Sequence, residues 1–248
     1  MLNILIPLAG AGSRFQVQGY DLPKPLIDVK GKPMIQVVIG NLTPSLIAHR
    51  FIFVCQKIHA SKFSLPARLR EWAPGSEVVL VDGLTDGAAR TVMAAKELID
   101  TADPLIIANS DQYVPAGIDG FADTLISGGS DGVIMTMTAS DPKWSYVEFD
   151  RQRMRIVNVV EKEVVSNEAT VGIYGFQRGS DFVSAATQMF SADFRVNGEF
   201  YVAPVYNWLI ARERFVKAMN IGTVEDGMYG LGTPADLEKF LKVGACLD

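Results

Sequence analysis

Cysteine and histidine are nearly absent, with two of each in 248 residues. Cys55 lies in an apolar run and Cys246 near the end, without Cys-x-x-Cys spacing, so a disulfide framework and a zinc site are excluded and Cys55 reads as core. His49 and His59 have no partners at ligand spacing, and both read as structural or exposed. No apolar stretch reaches the roughly 18 residues a membrane span needs. The first residues run into a strand without a basic segment, an apolar h-region or a cleavage site, so a cytoplasmic protein with no membrane partner is expected. Runs of Lys and Arg are also missing, and the net charge is −5 with a pI near 5.2. Nucleic acid is therefore excluded as a partner, while a homo-oligomer is compatible with all of these features.

What the chain does have is apolar residues, 48% of the total, enough for one large core in a single domain over 1–248. Short apolar runs recur at Ile4 to Leu8, Phe51 to Cys55, Val78 to Val81 and Leu105 to Ala108. Helical segments follow them at Met34 to Leu42, Ala67 to Trp72, Ala88 to Ile99 and Phe121 to Ser127. Pro33 suits a first turn, and Pro44 closes the helix it opens. Alternating strands and helices predict an α/β fold, a mostly parallel mixed sheet flanked by helices. After Gly132 the strands come in quick succession, at Gly132 to Met137, Tyr146 to Phe149, Ile156 to Val160 and Val171 to Phe176. Helices at Phe182 to Met189 and Pro204 to Glu213, a strand Phe215 to Met219 and a helix Pro234 to Leu241, N-capped by Thr233, complete the pattern.

The most informative segment follows the first strand: Leu8-Ala9-Gly10-Ala11-Gly12-Ser13-Arg14-Phe15, then Pro23-Lys24-Pro25-Leu26. A Gly-rich loop at a strand's carboxyl end sits where open α/β sheets bind ligands. Small residues let backbone N–H groups approach a phosphate, and Arg14 and Lys24 bring positive charge to the same place. A bound nucleoside triphosphate is the expectation. Two common phosphate loops are excluded: Phe15 stands where a dinucleotide fingerprint needs its third glycine, and no Gly-Lys-Ser/Thr follows at Walker spacing.

The pattern that remains, Gly-x-Gly-Ser-Arg and then Pro-Lys-Pro-Leu, resembles the sugar-phosphate nucleotidylyltransferases, a family with a Rossmann-like, glycosyltransferase-A-like α/β fold. Further segments match in the same order: Ser110-Asp111-Gln112, Val160-Glu161-Lys162, Thr170-Val171-Gly172-Ile173-Tyr174, Asn197-Gly198-Glu199-Phe200 and Gly232-Thr233-Pro234-Ala235-Asp236-Leu237. The resemblance implies a transferase that joins an NTP to a sugar 1-phosphate and releases pyrophosphate, for polysaccharide or glycoconjugate synthesis. Residues 1–130 would then form the NTP-binding half and 131–248 the acceptor-binding half.

Residue by residue, the resemblance makes Arg14, Lys24 and Lys162 the catalytic cations. Leu8, Ala9, Gly10, Ala11, Gly12 and Ser13, with Asp82, Gly87 and Ala88, would hold the nucleotide. Tyr146, Glu161, Gly172 and Glu199 would face the phosphorylated acceptor. Asp111 would bind Mg²⁺, a hard cation suited to carboxylate and phosphate oxygens. Two positions depart from the family pattern. Gly230 replaces a second metal-binding Asp, for which Asp226 substitutes if its loop folds back. Asp82 stands where a base-reading Gln is common, so the base stays open. Three alternatives also stay open: a non-sugar phosphate acceptor, a catalytically inactive nucleotide binder, and a glycosyltransferase using a nucleotide sugar. The last is disfavoured because Gln112 and Tyr113 follow Asp111 where an Asp-x-Asp pair would be needed.

Overall fold

A computed structural model describes residues 1–150 and 155–243; Cys246 lies outside the described residues. Along the chain, β1 (Leu2–Leu8) leads into α1 (Ser13–Gln16). A 3₁₀ turn (Lys24–Leu26), the small hairpin β2 (Asp28–Val29) and β3 (Lys32–Pro33), and α2 (Met34–Asn41) follow. Next come β4 (His49–Gln56), α3 (Lys57–Phe63), α4 (Leu65–Trp72), β5 (Glu77–Val81), α5 (Ala88–Met93) and α6 (Lys96–Ile99). The middle of the chain forms β6 (Leu105–Ala108), β7 (Gln112–Tyr113), α7 (Asp119–Ile126), β8 (Gly132–Thr138), β9 (Ser145–Asp150), β10 (Arg155–Glu161) and β11 (Glu168–Phe176). The last elements are α8 (Gly179–Ser191), α9 (Tyr206–Ile210), β12 (Val216–Val224), β13 (Gly227–Gly230) and α10 (Pro234–Lys242).

All strands except the β2–β3 hairpin join one eleven-stranded sheet, ordered β5-β4-β1-β6-β11-β8-β12-β13-β7, with β9 and β10 branching from β11. The first four are parallel, so the carboxyl ends of β1, β4, β5 and β6 share one edge. Ligands bind at that edge in open α/β sheets. Strand β11 then enters antiparallel between β6 and β8, and β12 returns parallel to β8. The expected α/β fold, a mixed sheet with helices packed on both faces, is what the chain adopts.

Alternation along each strand divides the core. Leu2, Ile4, Ile6 and Leu8 of β1 face α2, α4 and α7, and Leu5 faces the side packed by α5, α8 and α9. A third cluster matters most for function. Phe15 of α1 and Met34 of α2 pack with Leu231, Leu237 and Phe240, docking α10 against the head of the chain. That contact carries the C-terminal Gly-Thr-Pro segment back to the first loop. Thr233 caps α10 as expected, its hydroxyl accepting from the Asp236 amide at 3.1 Å.

Several boundaries differ from the sequence reading. The single helix expected over Ala88 to Ile99 is broken after Met93: the Ala94, Ala95 and Leu98 amides bond three residues back rather than four. The buried positions Ala89, Val92 and Ala95 recur every three residues, and the backbone tightens to bury them. The segment from Pro204 begins as a 3₁₀ turn over Ala203–Val205 and becomes α-helical only at Tyr206. Helix α3 was not foreseen, because it buries only Ala60 and shows no apolar stripe. Cys55 is core as expected, its thiol pushed up to about 12 by burial.

Candidate active site

The loop after β1 lines a cleft of about 480 Å³ at the carboxyl edge of the parallel strands. Every residue from Leu8 to Arg14 faces it, with Lys24, Gly87, Ala88, Asp111 and Glu199. Gly12 turns the loop into α1 with φ +64°, a left-handed conformation that suits glycine, and a Cβ there would lie 3.4 Å from the Cβ of Lys24. Behind the loop, the buried side chain of Gln56 donates to the carbonyls of Ala9 (2.8 Å) and Gly10 (3.4 Å). Gln56 thus fixes the backbone that the phosphate reading needs. Its signal in the sequence was a polar residue ending the apolar run Phe51 to Cys55.

At the floor of the cleft, Lys24 Nζ lies 2.5 Å from Asp111 Oδ2, each side chain about one-fifth exposed. The opposite charges neutralise each other in a half-buried place where an unpaired charge is costly. Gly232 closes over the pair: a Cβ there would stand 2.5 Å from Asp111 Oδ2. The Leu231 amide also donates to the Asp111 carbonyl at 2.7 Å. Glycine at 232 is therefore required by the approach of the C-terminal segment to Asp111.

Asp226 is not brought to this floor. It lies in the exposed turn before β13, while β13 pairs with β7 through Gly230 opposite Gln112. Asp226 and Gly230 are four steps of extended chain apart, about 13 Å. The side chain beside Gly230 is instead Asp236, 3.6 Å from where a Cβ would project; its carboxylate accepts from the Thr233 hydroxyl at 2.6 Å. Among the described residues, no group of three or more His, Cys, Asp or Glu side chains gathers as a metal cage. A single carboxylate still fits Mg²⁺, which is commonly held by one or two carboxylates together with substrate phosphates and water.

Asp82 is likewise outside the cleft. Its side chain is 87% exposed and pairs with Lys57 at 2.5 Å, because the chain turns inward only after it. Leu84 and Thr85 line the cleft instead, the Thr85 hydroxyl 2.5 Å from that of Thr91 and 3.1 Å from the Gly87 carbonyl. Gly87 has φ +123° and presses on the backbone of Phe200, where any Cβ would clash. Asn109 and Ser110 complete the wall beside Asp111.

Of the acceptor-side residues, Glu199 shares the cleft with the loop, whereas Glu161, Gly172 and Tyr146 are not among its lining residues. Glu161 ends β10 almost fully buried and accepts a hydrogen bond from the Ser145 hydroxyl. Burial pushes its carboxyl above the ordinary value; the Ser145 hydrogen bond and the Lys162 charge oppose this, and the Glu199 charge adds to it. Neighbours on a strand diverge, yet Lys162 takes φ +59° as the strand ends, and its ammonium reaches the Tyr201 hydroxyl. Glu199 lines the cleft and its charge is felt at both Glu161 and Tyr201, which links the two groups. Gly172, at φ +89° in an irregular stretch of β11, leaves room for the Asn109 and Gln112 side chains. Tyr146 has no access to an acceptor: it is fully buried, and its hydroxyl donates to the Asp141 carbonyl at 2.8 Å. The sequence placed it beside a strand start but could not tell inward from outward.

The loop from Leu8 to Arg14, the Lys24–Asp111 pair and the Glu199 carboxylate thus line one cleft. The family model described as nucleotidyl transferase matches residues 4–190, and the chain belongs to that family. Among curated relatives, it is 25% identical over 180 residues to the mannose-1-phosphate guanylyltransferase catalytic subunit beta of Danio rerio, covering 71% of this chain and 49% of the relative. It is also 25% identical over 212 residues to the bifunctional protein GlmU of Thermotoga maritima, covering 84% of this chain and 44% of that one. The chain thus spans about half the length of the curated relatives it matches. In fold it is similar to a nucleoside-diphosphate-sugar pyrophosphorylase from Vibrio cholerae RC9, with TM-score 0.81, 21% identity and coverage of 97% and 100%. It is similar too to the inositol-1-phosphate CTP transferase of T. maritima, with TM-score 0.70, 17% identity and 98% coverage of each chain.

Proposed function

We propose that this chain transfers a nucleotidyl group from an NTP to a sugar 1-phosphate, giving a nucleotide-sugar and pyrophosphate for polysaccharide or glycoconjugate synthesis. The observation that carries the reading is the Lys24–Asp111 pair lying in one cleft with the Leu8-to-Arg14 loop and Glu199. The relatives named for guanylyl and cytidylyl transfer to sugar or inositol phosphates support the same chemistry. We assign the whole chain to one domain and the reaction to the cytoplasm, where NTPs are supplied.

An acceptor phosphate oxygen attacks the α-phosphorus, and the bond to the β-phosphate bridging oxygen breaks with its electrons passing to pyrophosphate. The acceptor is already anionic, so the protein supplies alignment and charge stabilisation rather than a base. Arg14 lies along the triphosphate and then the departing pyrophosphate. Lys24, released from Asp111 when the nucleotide enters, turns its charge to the α-phosphate, where negative charge develops. Lys162, held by Tyr201, receives the acceptor phosphate, and Glu161 and Glu199 accept hydrogen bonds from acceptor hydroxyls. Mg²⁺ held by Asp111 would neutralise phosphate oxygens. The test is pyrophosphate release across the four NTPs and a panel of sugar 1-phosphates with Mg²⁺. Release that depends on both substrates supports the reading, and silence across the panel by folded protein overturns it.

A further inference from the structure

Asp86 and Arg195 belong to neither substrate group, yet they sit where the two meet. The Phe200 amide donates to the Asp86 carbonyl at 2.8 Å, and the Ala89 amide donates to the Phe200 carbonyl at 3.0 Å. Phe200 is therefore laced into the turn that opens α5, and its neighbours emerge on either side: Glu199 into the cleft, Tyr201 onto Lys162. The segment before it is strained. Asp193, Asn197 and Gly198 all have left-handed φ, a costly backbone for the two non-glycine residues unless other contacts hold it.

Arg195 supplies those contacts. Its guanidinium pairs with Asp193 at 2.6 Å and with Asp86 at 2.9 Å, and donates to the Gly198 carbonyl at 3.1 Å. It also lies 4.0 Å from the centre of the Phe200 ring. Asp86 takes Arg90 as a second partner at 3.2 Å, and Arg90 stacks 3.9 Å from Phe190. Two arginines and two carboxylates thus form a neutral clamp over the backbone link.

We propose that Asp86 and Arg195 are positioning residues that clamp the segment from Glu199 to Tyr201 onto the nucleotide-side turn, so that a bound NTP orders the acceptor subsite before the acceptor arrives. The proposal rests on the nucleotide reading above and adds a coupling between its two subsites. An NTP lying along Leu84, Thr85, Gly87 and Ala88 immobilises the turn, and the clamp passes that order to Glu199 and Lys162. Coupling between sites of this kind amounts to about 5- to 150-fold in affinity.

Hydrogen–deuterium exchange of the full chain with each Mg²⁺–NTP in turn tests this. In the wild type, the NTP that slows exchange over residues 8–16 also slows it over residues 195–203. In Arg195→Gln, protection of 8–16 remains and that of 195–203 is lost, with Arg195→Lys intermediate; a single cooperative melting transition above the assay temperature shows that both variants fold. With the active substrate pair, Arg195→Gln raises acceptor KM at least about 5-fold with kcat nearly unchanged. Its effect is non-additive with Glu199→Gln, as expected for residues acting through one another. Equal protection of 195–203 in wild type and Arg195→Gln overturns the coupling, as does protection of 8–16 alone in the wild type. If no NTP protects 8–16, the nucleotide reading fails and the coupling falls with it.

Discussion

On the wall built by the loop after β1, charge is carried by cations, Arg14 and Lys24, set among small residues on one contiguous stretch of chain. On the wall around β10 it is carried mainly by carboxylates, and one of them, Glu161, is buried behind Ser145. On the proposed function, the first wall would meet a polyanion and need accessible positive charge and exposed amides. The second would meet hydroxyls and need acceptors held in place, at the cost of burying the Glu161 carboxylate. One wall is thus a local motif, and the other is a convergence of β10, β11 and the 193–201 segment.

The largest contrast is expected at the floor between the walls. Lys24→Ala or Asp111→Asn should lower turnover by roughly 10²- to 10³-fold, the scale for removing a group aimed at developing charge. Initial rates under saturating substrates measure this, and a loss under about 5-fold would remove the pair from the chemistry. Next comes the link between the walls: Gly87→Ala forces a side chain into the Phe200 backbone at φ +123° and should cost on the order of 3 kcal/mol. The urea midpoint reads that cost directly, and a midpoint near wild type would mean that the walls are not locked together there.

A smaller effect separates stability from function on the acceptor wall. The Glu161 carboxyl is raised chiefly by burial, so the folded state favours its protonated form. Stability from this group is fully present below the ordinary glutamate value of 4.5 and is lost as pH rises through the elevated folded value. Glu161→Gln, uncharged at all pH, should therefore melt higher than wild type at neutral pH and converge on it in acid, while its acceptor KM rises. Melting curves at several pH values check this; a variant less stable than wild type at neutral pH would contradict it. The smallest effect is at Asp82, whose exposed pair with Lys57 is worth less than about 1 kcal/mol. Asp82→Ala should leave NTP KM within about 2-fold, and a larger rise would restore Asp82 to the nucleotide wall.

The same contrast explains what the sequence disclosed. Strand β1 and the Gly-rich loop were legible because a doubly buried strand is a continuous apolar run and phosphate approach demands small residues in a row. Thr233 as N-cap was legible for a similarly local reason. Asp226, Asp82 and Tyr146 do not line the cleft, and their positions depend on where a turn lies, when a chain turns inward, and which face of β9 is buried. Gln56, Asp86 and Arg195 went unseen since each joins segments distant in sequence, a relation that only the paired strands and the packing of Phe200 create. The break after Met93 follows a packing period of three, which apolar spacing alone does not separate from a regular helix.

The central claim is that the α-phosphoryl group moves and pyrophosphate leaves. With the active substrate pair, NTP labelled with ³²P at the α position should place its label in the nucleotide-sugar, while label at the γ position appears only in pyrophosphate, in equal amounts. Label from the γ position in the acceptor, or none transferred from either position, would contradict the account.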